Sequence, residues 1–297
     1  MKNRNFIVFI NPISGTKDKE KARNIIEKEL TNNNFTYQFL PTEKSGEYSF
    51  LKTKIETETI TDIIICGGDG TVNQVCAYLQ NIKVNIGIIP MGSGNGLAFT
   101  AGIPKAPQKA MDVIINGKAN FVDAFLINNQ FGCHNIGVGF DAKIAHEFSE
   151  SKKRGAATYI KLVAKNYFKA RAYSFQIKIN ETQLDVKAFF VTVSNSNQFG
   201  NRLTIAPKAS LNDGMLDVVI VKKSNKLDIF FKIMNQLKFG KVVSESNDKK
   251  TVHYFQTKKI SIFNPENALV HIDGEPVKAI GQIEIEIIEN AFRLLQP

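Results

Sequence analysis

The chain of 297 residues has little of what staples, metallates or buries a protein in a bilayer. Its three cysteines, Cys66, Cys76 and Cys133, sit inside apolar patterns without metal-ligand spacing, and they read as buried, reduced thiols of a cytosolic protein. The four histidines are scattered, which argues against a zinc site. No apolar run approaches the roughly eighteen residues that a transmembrane helix needs. Met1-Lys2-Asn3-Arg4-Asn5 leads into a short strand-like run and not into the longer apolar region of a signal peptide. There is no internal repeat, no low-complexity tract and no DNA- or RNA-binding signature, so nucleic acid is not expected as a partner.

With 43% hydrophobic and 22% charged residues, the composition is that of a globular protein, and the length suggests two domains. A net charge of +10 suits an anionic membrane surface or a polyphosphate ligand, with a merely solubilising surface as the plain alternative.

The most informative stretch is Ile63-Ile64-Ile65-Cys66-Gly67-Gly68-Asp69-Gly70-Thr71-Val72-Asn73. An apolar β-branched run stops at glycines, and Val72, Val75, Cys76 and Leu79 then follow at helical spacing. Strand, tight turn and helix in this order let backbone N–H groups face a phosphate. Asp69 would repel a phosphate unless a cation lay between them, and Mg²⁺ shared with a nucleotide resolves the conflict. Other strands end in similar loops: Phe6 to Ile10 before Asn11-Pro12-Ile13-Ser14-Gly15, Phe35 to Leu40 before Pro41-Thr42, and Val84 to Ile89 before Pro90-Met91-Gly92-Ser93-Gly94-Asn95. In an open α/β sheet such loops gather at the carboxyl edge, where ligands bind.

From Phe121 the pattern changes to alternating apolar runs. These are Phe121 to Ile127, Phe131 to Ile136, Ser174 to Ile179, Ala188 to Val193, Leu216 to Val221, Thr251 to Gln256, Ile260 to Phe263, Leu269 to Ile272 and Gln282 to Ile288. They predict a mainly antiparallel β-domain, a sandwich. Two helices interrupt it, one over Ala156 to Lys169 with Lys161, Lys165 and Lys169 on one stripe, the other containing Leu227, Phe230, Phe231, Met234 and Leu237. Ser244 to Lys250 reads as an exposed loop.

These pieces resemble the diacylglycerol kinase catalytic-domain family, which includes sphingosine kinases and bacterial lipid kinases. The resemblance rests on Gly67 to Asn73, Asn11 to Gly15 and Pro90 to Ala98, then Ile136-Gly137-Val138-Gly139-Phe140-Asp141-Ala142, Asn212-Asp213-Gly214-Met215-Leu216 and Asp273-Gly274-Glu275, in family order along nearly the whole chain. It implies a Rossmann-like α/β nucleotide-binding domain over residues 1–122, rejoined by 289–297, and a β-sandwich lipid-substrate domain over 123–288, with the active site between them. It implies ATP- and Mg²⁺-dependent phosphoryl transfer to a lipid hydroxyl, of diacylglycerol or a related lipid. Gly67, Gly68, Gly70, Thr71 and Asn73 would cradle phosphate and Asp69 would contact the Mg-nucleotide, joined by Asn11, Thr42 and Ser93. Asn11 can equally be a turn former, and Thr42 and Ser93 helix caps.

Asp273-Gly274-Glu275 alone reads as a hairpin turn. Within the family pattern, Asp273 is the first choice for general base, with Glu275 close behind or assisting. Asp141 would approach the lipid head group, or else cap a strand end. The resemblance also implies a structural Mg²⁺ held by Asp213 and the carbonyls of Ser210 and Met215. Where bacterial relatives often carry an aspartate, Gly96 stands here, and Gly92-Ser93-Gly94-Asn95 looks closer to the sphingosine and long-chain-base kinases. The alternatives are therefore a long-chain-base kinase, an NAD kinase, or a non-catalytic nucleotide-binding protein. Lys152-Lys153-Arg154 and the lysine stripe suggest a cytoplasmic protein peripheral at the inner membrane surface, with a homodimer as a possible assembly.

Overall fold

The computed structural model describes residues 4–15, 18–151, 155–198, 206–223 and 251–297. The chain forms two compact units, Met1–Asp123 with Glu289–Pro297, and Ala124–Ile288. The expected helix around Leu227 to Leu237, the loop Ser244 to Lys250 and the basic run Lys152-Lys153-Arg154 lie outside the described residues.

Along the first unit run β1 (Asn5–Ile10), α1 (Lys19–Asn32), β2 (Thr36–Leu40), α2 (Phe50–Thr57) and β3 (Asp62–Gly67). Then come α3 (Asp69–Cys76), β4 (Asn85–Pro90), α4 (Gly96–Thr100) and α5 (Pro107–Asn116), followed by β5 (Lys118–Ile127). In the second unit follow β6 (Gln130–Gly132), β7 (Asn135–Gly139), α6 (Phe140–Glu150), α7 (Ala156–Tyr167), β8 (Tyr173–Ile179) and β9 (Thr182–Ser194). The remaining strands are β10 (Leu216–Lys222), β11 (Val252–Thr257), β12 (Lys259–Phe263), β13 (Val270–Ile272), β14 (Glu275–Val277) and β15 (Gln282–Gln296).

In the first unit the strands pair in the order β2-β1-β3-β4 and then the end of β15, all in parallel. Parallel neighbours require crossover connections, and α1, α2, α3 and α5 occupy them. Every residue of β3 is buried, which is why Ile63-Ile64-Ile65-Cys66 run on without polar alternation. The one charge in that strand, Asp62, is held by Arg4 at 2.6 Å and by Asn85 and Thr61. The registers bring Gly67 level with Pro90 and Ile10 level with Cys66, so the loops after β1, β3 and β4 start at one edge.

The second unit is antiparallel throughout its described pairings. The first half of β9 pairs with β8, and its second half lies between β7 and β10. On β10, Val218 and Ile220 enter the main β core, whereas Val219 and Val221 face a second cluster formed with Phe140 and Ile144 of α6 and Tyr167 of α7. This period of two shows a sheet covered on both faces. The expected single strand Phe131 to Ile136 is instead two, β6 and β7, broken at Cys133-His134 because the N–H groups there turn to a side chain described below. Helix α6 follows β7 directly and had no counterpart in the sequence reading.

Candidate active site

The glycine turn of the first unit lies where three strand ends meet. Gly68 precedes α3 in extended conformation and Asp69 is the first helical residue, so the first-turn N–H groups of α3 open toward the loops after β1 and β4. Asn11, just past β1, donates its side-chain amide to Thr71 Oγ1 at 2.7 Å while its Oδ1 accepts the Ile13 N–H. It is thus both a turn former and a tie to α3. Met91 N donates to Gly67 O at 2.8 Å, and a Cβ on Gly92 would lie 2.6 Å from the Gly68 Cα. Only glycine on both sides lets these two backbones touch.

Asn95 completes the clamp. It sits at a left-handed φ of 55° ahead of α4; its backbone N–H donates to Asp69 Oδ2 at 2.6 Å, and its side-chain amide bonds Gly92 through both N–H and C=O. Sequence reasoning placed Asn95 in a motif without giving it a role; an asparagine immediately before an apolar helical start was the available signal. Ser93 and Thr42 are half-buried in their loops, as is Asn73 on α3. The residues preceding α2 and α4 are Ser49 and Asn95, so neither Thr42 nor Ser93 is a helix cap. The arrangement offers an anion a helix N-terminus and close backbone approach, while the half-buried carboxylate of Asp69 beside them suits a cation and not the anion itself.

In the second unit Asp273 and Gly274 form a two-residue hairpin loop, both with positive φ (51° and 84°), and Ile272 pairs with Glu275 across it. Asp273 is 5% exposed. Its Oδ1 accepts the backbone N–H of His134 and of Asn135, and its Oδ2 that of Cys133, each at 2.9 Å. Its carboxylate is thereby the anchor that joins the hairpin to the β6–β7 break. Glu275, two residues on, is exposed.

Asp141 lies in the first turn of α6, is buried, and accepts the Thr192 hydroxyl at 3.0 Å while facing His271 Nε2 at 3.2 Å. Burial, and after it the charge of Asp141, pushes the Tyr159 phenol well above its usual range.

The turn Asn212-Asp213-Gly214 precedes β10. Asp213 Oδ1 accepts the Met215 N–H at 3.1 Å, Oδ2 accepts from Gln256, and Ser210 Oγ donates to Asn212 Oδ1. Nearby Asp217 has its carboxyl raised above the usual range by burial, with the Asp213 charge adding to the rise. Oxygen-only donors beside crowded negative charge fit a hard cation such as Mg²⁺. Among the described residues no group of three or more His, Cys, Asp or Glu could hold a metal alone, so a cation here would depend on carbonyl and hydroxyl oxygens.

The diacylglycerol kinase catalytic domain model matches residues 5–127, and the YegS C-terminal NAD kinase beta sandwich-like domain model matches residues 134–296. The chain belongs to the diacylglycerol kinase catalytic-domain family. Its α/β unit and β-sandwich unit are the two domains of that family. It is 26% identical over 283 residues to the diacylglycerol kinase of Bacillus subtilis (strain 168), covering 90% of this chain and 88% of that one. It is also 26% identical over 254 residues to the "Probable lipid kinase YegS-like" of Shewanella frigidimarina, covering 81% and 79%. A solved structure of a putative diacylglycerol kinase from Bacillus anthracis superimposes with a TM-score of 0.83 at 21% identity, covering 100% of this chain and 98% of that one, which is a likeness of fold. Membership in this kinase family makes the protein a phosphotransferase.

Proposed function

We propose that the protein is an ATP- and Mg²⁺-dependent lipid kinase that transfers the γ-phosphate to the hydroxyl of diacylglycerol or a related lipid alcohol. The observation that carries the reading is the clamp of three strand-end loops around the N-terminus of α3, in a chain whose family is that of the diacylglycerol kinases. In this reading the N–H groups at Gly68, Asp69 and Gly70 hold phosphate oxygens, with Thr71, Asn73, Asn11, Thr42 and Ser93 as further polar contacts. Asp69, held by the Asn95 N–H, supplies the carboxylate for Mg²⁺. When bound, Mg²⁺ offsets phosphate charge. Asp213, with the carbonyls of Ser210 and Met215, suits a second, structural Mg²⁺.

Of the Asp273–Glu275 pair we assign the proton-accepting role to Glu275. Three backbone N–H groups occupy Asp273, whereas the Glu275 carboxylate is exposed. Asp273 then positions the turn. A long-chain-base kinase is the second reading, favoured by Gly92-Ser93-Gly94-Asn95.

The exposed face of α7 carries Ile160, Lys161 and Lys165, continued past its end by Phe168 and Lys169. Apolar residues flanked by lysines suit peripheral docking on anionic lipid. Transfer of ³²P from ATP to diacylglycerol, sphingosine and NAD⁺, resolved by thin-layer chromatography, tests the function. Labelled phosphatidate is the expected product, and label in NAD⁺ alone would refute the lipid reading. Sedimentation with anionic vesicles at rising salt tests docking, and binding indifferent to salt and to lipid charge would remove it.

A further inference from the structure

Three neighbouring strands place His271, Gly137 and Thr192 side by side, since Gly137 of β7 pairs with His271 of β13 on one side and with Thr192 of β9 on the other. Opposite residues of adjacent antiparallel strands point to the same face, so the glycine leaves a gap between two polar side chains. Asp141, from the helix that follows β7, fills that gap. A Cβ on Gly137 would stand 2.1 Å from Asp141 Oδ2 and 2.4 Å from His271 Nε2. The result is a buried row in which Thr192 Oγ1 donates to Asp141 Oδ2, which lies 3.2 Å from His271 Nε2.

The far side of the ring reaches the proposed catalytic turn. His271 Nδ1 accepts the backbone N–H of Gly274 at 3.2 Å. An Nδ1 that accepts carries no proton, so the partners assign the neutral imidazole proton to Nε2, where Asp141 receives it. His271 is 1% exposed, so it acts through its neighbours and not as a solvent-facing group.

We infer that His271 is a positioning residue for phosphoryl transfer: Thr192 orients Asp141, Asp141 fixes the ring and its tautomer, and Nδ1 holds the Gly274 peptide that separates Asp273 from Glu275. This inference rests on the reading of that turn as the acceptor side of a kinase. Asp273 anchors the hairpin to the β6–β7 break, and His271 anchors it to the α6 side. With two anchors the Asp273–Gly274 peptide, the first of the two between the carboxylates, has one orientation, and a base that follows a fixed turn is better aimed at a hydroxyl.

Three substitutions separate the two ends of the ring. His271→Asn keeps an oxygen near the Nδ1 position as acceptor for Gly274, His271→Gln keeps a donor near Nε2 for Asp141, and His271→Leu keeps neither. The Leu and Gln variants are expected to lose at least about tenfold in kcat, as for one lost positioning bond, with the KM for ATP unchanged. The Asn variant is expected to recover most of that loss. Equal kcat values for all three variants, whether high or low, would overturn the inference. A measurement on the unaltered protein does not depend on the variants folding: ¹⁵N NMR of the histidines should show Nδ1 of His271 unprotonated and Nε2 protonated, and a protonated Nδ1 refutes the contact. If no lipid is phosphorylated by the unaltered enzyme, the kinase reading falls, while the tautomer and the exchange rate of the Gly274 amide still decide whether His271 holds the turn.

Discussion

Replacing Asp273 by Asn separates anchoring from proton transfer, because the substitution keeps size and tolerance of positive φ while removing the charge. In the native turn the carboxylate accepts three backbone N–H groups at 2.9 Å. In the Asp273→Asn variant the remaining oxygen can still serve His134 and Asn135, but the amide NH₂ confronts the Cys133 N–H, donor against donor. A buried N–H left unpaired costs about 1–3 kcal/mol, and changing two charge-assisted bonds to neutral ones costs about 1 kcal/mol each. The expected loss is about 3–5 kcal/mol, a large share of the roughly 5–15 kcal/mol that holds a domain folded. Hydrogen exchange reads it locally: the amides of Cys133, His134 and Asn135 should exchange at least about 10²-fold faster, since about 1.4 kcal/mol corresponds to a factor of ten. The exposed Glu275→Gln variant should change stability by no more than about 0.5 kcal/mol and lower kcat by about 10²–10⁴-fold. If Asp273→Asn leaves those three amides protected and still abolishes turnover, or if Glu275→Gln turns over normally, the assignment of anchor and base is wrong.

Gly92→Ala puts a Cβ 2.6 Å from the Gly68 Cα, so the loops after β3 and β4 must part; ATP affinity by titration calorimetry should fall by at least about tenfold, the loss of about one charge-assisted hydrogen bond, with the fold retained. Arg4→Met strands the buried carboxylate of Asp62, and although Thr61 and Asn85 still donate to it, urea unfolding of the first unit should show a loss of about 3 kcal/mol. Burial raises the Asp217 carboxyl in the fold, so its charged form opposes folding; that penalty is absent below the ordinary carboxylate range and develops as pH rises through the folded value. Asp217→Asn keeps an acceptor for Tyr254, and in metal-free buffer it should be more stable than the unaltered protein at neutral pH, with the gain vanishing in acid; a gain that persists in acid contradicts the assignment.

The family and the fold class were legible because their signals are local. A fully buried strand shows itself as a β-branched run, and the turn after β3 shows itself as glycines followed by helical spacing. The pieces that escaped depend on partners remote in sequence. The break between β6 and β7 exists because Cys133 and His134 donate to Asp273, 140 and 139 positions away, and no periodicity within Phe131 to Ile136 registers an acceptor so distant. Helix α6 was hidden for another reason. Its apolar residues Phe140, Ile144 and Phe148 do recur at i, i+4 and i+8 with Ala145 beside them, but the buried Asp141 in the first turn reads as a polar interruption at the end of a strand. Asn95 and His271 were missed because their roles lie in bonds to Asp69 and Gly274, which depend on left-handed backbone and strand register and not on residue type alone.

The Asp-Gly pair after β13 carries a mixed signal, and the structure separates its parts. Two consecutive positive φ angles favour aspartate followed by glycine for conformational reasons, and three converging N–H groups demand a carboxylate at the first position. The identity of Asp273 is thus fully explained by the hairpin, and its presence says little about chemistry. Glu275 is different. It opens the short strand β14, a location where β-branched and aromatic residues fit better than glutamate, and its side chain is exposed. No feature of the hairpin calls for a carboxylate there. A residue for which the described residues supply no structural constraint, placed one peptide beyond a doubly anchored turn, is the member of the pair to which we assign the proton-accepting role.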